Sequence, residues 1–97
     1  RMNGNTFKAL GDKTRRQILS MLRKKDMTAG EIAQCFDMTK PSISHHLSVL
    51  KSAGLVEDVK EGQNVIYSIN MTVLNELVSW LLEMRDGGTE DETTDQT

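Results

Sequence analysis

The run from Thr28 to Gly54, TAGEIAQCFDMTKPSISHHLSVLKSAG, constrains this chain more than any other stretch. Thr28 and Glu31 stand at capping-box spacing. The threonine hydroxyl accepts the Glu31 amide, and the carboxylate accepts the threonine amide. Ile32, Cys35 and Phe36 then share one face, expected to be buried, and Ala33 is small enough to let a second helix approach. Asp37 is expected to end the first helix in a left-handed backbone, which Asp tolerates better than most residues. Thr39 is the expected N-cap of the second helix. Lys40 and Pro41 lie in its first turn, where proline gives up only an amide without a helical partner. Gly54 closes the helix at C′.

At 3.6 residues per turn, Ile43, Leu47 and Leu50 form one aliphatic stripe. Pro41, His45, Ser48 and Ser52 point the opposite way, flanked by Ser42 and Ser44, with Lys40 and Lys51 near the edges. Two short helices joined by a tight turn, the second presenting hydroxyls outward, are the layout of a helix-turn-helix. Its second helix enters the DNA major groove. Serine can donate or accept at several base edges, and lysine suits phosphate or guanine. Taken alone, the segment reads equally well as an amphipathic helix with a solvated Ser/His face. The flanking segments weigh against that reading.

Leu55–Asp58 and Val65–Ile69 are β-prone runs around the polar segment Val59–Asn64, which contains a Glu-Gly pair. Val56 and Val59 give partial alternation in the first arm, and Val65, Tyr67 and Ile69 alternate with Ile66 and Ser68 in the second. This predicts a hairpin, and a hairpin directly after a recognition helix is a wing. Lys60 near its tip suits a phosphate contact, and Gln63 can reach a minor groove. The plainer alternative is a solvated hairpin.

Upstream, Asp12 is expected to cap a helix through Ile18, Leu19 and Leu22 to about Lys25. Its closing run Arg23-Lys24-Lys25 suits the macrodipole and solvent. Phe7 and Leu10 predict a short first helix before Gly11. Downstream, Thr72 opens a helix whose apolar residues, Val73 to Met84, cover more than one face. At the edge of so small a domain such a helix exposes an apolar patch unless a partner covers it. Phe7, Leu74, Leu77, Val78, Trp80 and Leu81 are therefore the expected homodimer interface, with Trp80 and Leu81 as anchors. The alternative is that this helix folds back onto its own core. The expected architecture is mostly α with a β-hairpin wing, a winged helix-turn-helix in the order ααααββα.

The chain has 97 residues, enough for one domain with a modest core. Its single cysteine excludes an intramolecular disulfide and suits a reducing cytoplasm, the expected location. No apolar run spans a bilayer, and no signal peptide or internal repeat is visible. The net charge of −2 argues against nucleic acid only if taken whole. Residues 86–97 hold five acids and no base, which leaves residues 1–85 with 12 bases against 9 acids. The expected division is a DNA-binding and dimerisation domain, 1–85, and an acidic disordered tail, 86–97. The tail would aid solubility or, on a weaker reading, compete with DNA for the basic face.

FKALGDKTRRQILSML (7–22), the run 28–56 and KEGQNVIYSIN (60–70) occur in an order that resembles the ArsR/SmtB-type winged-helix repressors. The resemblance covers residues 5–84. It implies a dimeric bacterial repressor that binds an inverted-repeat operator, with Ser42, Ser44 and His45 reaching bases or nearby backbone. His46 matches the family's frequent His before Leu and reads as structural. The run KPSISHHL (40–47) resembles an autoregulatory branch, which implies autoregulation and allows a membrane protein that sequesters the repressor. Two departures are Lys13, where the family has Pro, and Lys60, where Arg is common. Lys60 keeps phosphate contact without bidentate geometry.

Many relatives sense metal through a Cys-x-Cys run before the third helix or through Asp/His ligands on the last. Here the first place reads MTAGEI and the last helix has no His. The adjacent His45 and His46 point about 100° apart on a helix. A zinc site wants about four placed ligands, so no metal site and no cofactor are expected. Cys35 lacks a second thiol within the chain, so thiol sensing, like metal sensing, is a minor alternative. The expected DNA-binding set is Lys40, Ser42, Ser44, His45, Ser48, Lys51, Lys60 and Gln63. The main competing function is a winged helix that docks a protein through its last helix. No Ser/His/Asp arrangement, phosphate-binding glycine loop or carboxylate cluster supports an enzyme.

Overall fold

The computed structural model describes residues 3–95, with side chains described through residue 87. The elements are α1 (Gly4–Leu10), α2 (Lys13–Lys24), β1 (Met27–Thr28), α3 (Ala29–Gln34), α4 (Lys40–Ser52), β2 (Val56–Glu61), β3 (Asn64–Ile69) and α5 (Met71–Asp95). This is the expected winged helix-turn-helix with one addition. The two residues of β1 pair antiparallel with β3, Met27 opposite Tyr67, and turn the hairpin into a three-stranded sheet of order β1-β3-β2. A strand of two residues carries no periodicity of its own, and only β3 reveals it.

The helix starts follow the side chains that the sequence offers. Asp12 accepts the Arg15 amide at 3.0 Å. Thr28 and Glu31 form both halves of a capping box, at 3.1 and 2.8 Å. Thr39 accepts the Ser42 amide at 3.3 Å, with Pro41 in the first turn. Gly54 stands past the end of α4 at φ +76, and its Cβ position lies 3.1 Å from the Val73 side chain. A side chain at Gly54 would thus be strained twice, by backbone and by α5. Gly62 takes φ +61 at the wing tip between Glu61 and Asn64. A two-residue hairpin loop favours glycine in that place. The strands therefore run nearly to the tip, and the polar loop is shorter than the sequence suggests.

Ile18, Leu22, Ile32, Ile43, Leu47, Leu50 and Leu55 are all but completely buried and form the centre of the core. Each of the stripes expected on α2 and α4 lies on it. α1 is fixed to this body by arginines. Arg15 donates to the carbonyls of Ala9 at 2.8 Å and Lys8 at 3.0 Å, and Arg16 donates to Leu10 at 2.7 Å. The bonds to Ala9 and Leu10 reach carbonyls of the kind that a helix C-terminus leaves unpaired, while the Lys8 carbonyl also accepts the Gly11 amide at 3.2 Å. His46 joins the same cluster, with Nδ1 3.3 Å from Arg15 Nη1 and 3.9 Å from Asp12.

Three expectations need correction. Asp37 is not left-handed, because no non-glycine residue described has positive φ. The chain instead leaves α3 through a Cys35 C-cap in right-handed geometry. Cys35 is exposed rather than buried. α3 ends at Gln34, so the helical stripe stops before it reaches this residue. Its thiol donates to the Glu31 carbonyl at 3.6 Å. The backbone of α5, finally, stays helical through Asp95, beyond the boundary expected at residue 86. Extending a helix already nucleated costs far less than starting one. The rest of the expected tail, residues 96–97, lies outside the described residues.

Candidate nucleic-acid interface

α4 has two unlike faces. Ile43, Leu47 and Leu50 have no exposed surface. Ser42, His45 and Ser48 are exposed, and Ser44 is half-buried. The core thus uses none of the hydroxyls or the His45 ring. Pro41 and the Thr39 cap fix where this polar face begins.

The wing stands beside the first turns of α4. Lys40, Ser44, Gln63 and Asn64 line one cleft of about 400 Å³, floored by Thr28, Ala29 and Gly30 at the start of α3 and by Val65 and Tyr67 of β3. Lys40 and Ser44 of α4 and Gln63 of the wing, far apart in sequence, are brought together here. Asn64 adds a carboxamide that the sequence did not single out. Its only signal was its place beside Gln63 in the polar loop. Lys60 is exposed on β2 near the tip, directly opposite Val65. Neither Lys40 nor Lys60 forms an ion pair with any described residue.

Lys51 stands differently. Its Nζ lies 2.9 Å from Asp58, so it ties the end of α4 to the base of the wing. Asn70 makes a parallel tie, donating to Glu57 at 2.6 Å. The sequence placed Lys51 among the phosphate contacts, but could not show that Asp58 faces it across the α4–β2 junction. At the middle of the helix His46 is largely buried against Arg15 and Asp12. Its neighbour His45 points outward, with the ring centroids 5.9 Å apart. The carboxyl of Asp12 is held below its ordinary value by the Arg15 amide first, and then by the charges of Arg15 and His46, against the effect of burial.

Most of the expected dimer residues form an exposed apolar face. Val73 of α5 is buried and Leu74 packs against the core, Leu77 is half-buried, and Val78, Trp80 and Leu81 are open to solvent. Phe7 of α1 meets Trp80 edge-on, with centroids 5.8 Å apart. That places the α1 and α5 members of the set side by side. Leu82 and Met84 extend the face and were not in the expected set. Among the described residues, no three of His, Cys, Asp and Glu are grouped so as to hold a metal ion.

Residues 12–58 match the family model for bacterial regulatory proteins of the arsR family. The transcriptional repressor SdpR of Bacillus subtilis (strain 168) is 49% identical over 87 residues, which is 90% of this chain and 97% of SdpR. The chain belongs to the arsR family. The family model spans α2 to the first residues of β2, and so includes the helix-turn-helix. A second relative, the transcriptional activator HlyU of Vibrio cholerae, is 32% identical over 77% of this chain and 69% of its own. Among solved structures, an ArsR-like transcriptional regulator from Rhodococcus sp. RHA1 superposes with a TM-score of 0.76 at 32% identity, covering 94% of this chain and 84% of that one. The homodimeric winged helix-turn-helix DNA-binding domain of Mb0332 from Mycobacterium bovis gives 0.69 at 33% identity, covering 86% and 81%. This arsR-family chain is therefore a winged helix-turn-helix regulator in fold and in lineage.

Proposed function

We propose that the chain is a homodimeric repressor that reads an inverted-repeat operator with α4 and blocks transcription by excluding polymerase. The observation that carries this reading is the open cleft where Lys40, Ser44 and Gln63 meet beside the exposed face of α4. In this reading Ser42, Ser44, His45 and Ser48 face the base edges, while Lys40 and Lys60 neutralise phosphates. Gln63 enters the neighbouring minor groove, and Lys51 positions the wing through Asp58. The α1–α5 face around Phe7, Leu74, Leu77, Val78, Trp80 and Leu81 joins two copies. Two recognition helices related by that axis would enter successive major grooves about 34 Å apart. SdpR is named a repressor and HlyU an activator. The much higher identity to SdpR supports repression, with autoregulation as its simplest form. No catalytic step is assigned, no metal is needed in this scheme, and the chain acts in the bacterial cytoplasm. No helix among the described residues is long and apolar enough to cross a membrane.

A second reading is favoured by the length of exposed apolar surface on α5, from Val78 to Met84. On that reading the last helix docks a protein, such as a membrane protein that sequesters the repressor. Salt separates the two activities. DNA binding weakens steeply as salt rises because counterions are released on binding, whereas apolar docking changes little.

The deciding experiment is selection of bound duplexes from a random pool at physiological salt, with chelator present. One recovered inverted repeat establishes a dimeric, metal-independent reader and supplies its operator. An unselected pool overturns the reading.

A further inference from the structure

The outward face of α4 is bordered on both sides. On one side stands the wing with its cleft. On the other side α1 and the far half of α4 enclose a second cleft of about 180 Å³, lined by Asn5, Lys8, Ser48, Val49 and Ser52. Nothing in the scheme above uses it except Ser48.

Its chemistry is one-sided. Lys8 is exposed and forms no ion pair with any described residue. Asn5 engages only its backbone amide, which donates to Asn3 Oδ1 at 2.8 Å, so its carboxamide remains available. Ser48 and Ser52 present hydroxyls from consecutive turns of α4, and no carboxylate lines the cleft. Behind it Arg15 grips the Lys8 carbonyl at 3.0 Å and reaches His46 of α4 at 3.3 Å. The lysine thus sits on backbone that is tied to the recognition helix. One ammonium, one amide and two hydroxyls with no acid between them suit an anion that accepts several hydrogen bonds at once.

A helix lying in the major groove, about 12 Å wide, has a sugar-phosphate strand on each side. The wing, Lys40 and Lys60 serve one strand. We propose that Asn5, Lys8 and Ser52 hold a backbone phosphate of the strand opposite the wing, beside the base edges that Ser48 faces. Each recognition helix is then held by phosphates on both flanks, which fixes its depth and register in the groove. These contacts position the helix and carry no sequence information themselves. The inference rests on the DNA-reading role of α4.

The test uses the full chain and its selected operator. Dissociation constants are measured against salt for wild type, Lys8→Gln and Lys8→Arg, on operator and on unrelated duplex. Lys8→Gln is expected to weaken both duplexes by a similar factor. It should flatten the slope of log K against log salt by about 0.9 for each protomer bound. Lys8→Arg should restore the slope. Phosphate-ethylation interference should lose one sensitive phosphate per half-site, on the strand away from the wing. If wild type binds its operator and Lys8→Gln keeps both its affinity and its slope, the inference is overturned. A wild-type chain that binds no duplex at all overturns the underlying reading instead.

Discussion

α4 and α5 are both rich in apolar residues, yet the fold treats them in opposite ways. α4 spends its whole aliphatic stripe inward, and Ile43, Leu47 and Leu50 are sealed. Its other face is left polar and open. α5 buries Val73 in its first turn, rests Leu74 on the core and meets Phe7 of α1 at Trp80, yet leaves Val78, Leu81, Leu82 and Met84 about half exposed or more. The core of one protomer is thus nearly complete by the end of β3. Beyond Val73 and Leu74, most of the apolar area on α5 is left uncovered by the protomer. Single exposed apolar residues need no explanation, but a contiguous row of them does.

The largest effect should come from attacking the closed side. Leu47→Ala removes a fully buried side chain that close packing cannot replace. We expect a loss of about 2–5 kcal/mol of folding stability, read as a lower urea midpoint. A loss below 1 kcal/mol would mean that α4 is not held as described. The corresponding change on the open side is Leu81→Asp. It should leave the protomer's fold intact and weaken the dimer by at least about 2 kcal/mol, as the loss of an interface anchor does. Sedimentation at micromolar concentration checks it. An unchanged dimer would assign the α5 face to another partner and break the comparison as drawn.

The polar face of α4 gives a smaller and more selective effect. His45 is exposed and free of the cluster that holds His46. His45→Ala should cost about 1–3 kcal/mol on operator and much less on unrelated duplex, relaxing specificity at one position. Competition binding with single-base operator variants would show it. A uniform loss on every sequence would move His45 from reading bases to touching backbone.

Much of this contrast is legible in the sequence because it is local. Capping residues Asp12, Thr28 and Thr39, the proline in the first turn of α4, Gly54 and the 3.6-residue stripes each act within a turn or two of their own position. All of these are found where the pattern puts them. What the sequence hides is pairing across distance. β1 exists only because β3 lies beside it. Arg15 and Arg16 look like surface cations on a basic helix, yet they cap the end of α1. Lys51 is expected to meet phosphate, and only the fold shows that Asp58 also faces it. Cys35 departs from the pattern for a different reason. The helical stripe that includes it runs past Gln34, where the helix ends and Cys35 becomes the C-cap. For the binding face, spacing identified which side chains point outward. Only the fold shows that Lys40, Ser44 and Gln63 share one cleft, and that Lys8 lies at the other border.

The smallest expected effect tests the hinge between these regions, where α1, α2 and α4 meet at Asp12. The carboxylate accepts the Arg15 amide at 3.0 Å and lies 3.9 Å from His46. Its pKa in the folded chain is lowered from the ordinary 3.8. A group whose folded pKa is depressed adds stability above its unfolded value and loses it as pH falls through the folded value. Asp12 should therefore help at neutral pH and cease to help once acid titrates it below about pH 3.8. Asp12→Asn keeps a good N-cap and removes the charge. Urea midpoints of wild type and Asp12→Asn should differ slightly at pH 7, in favour of wild type, and converge as pH falls below 4. A gap that stays constant across this range would mean that the aspartate acts at the helix start through its shape alone. The charge that it shares with Arg15 and His46 would then add nothing to the junction that carries α1 to the recognition helix.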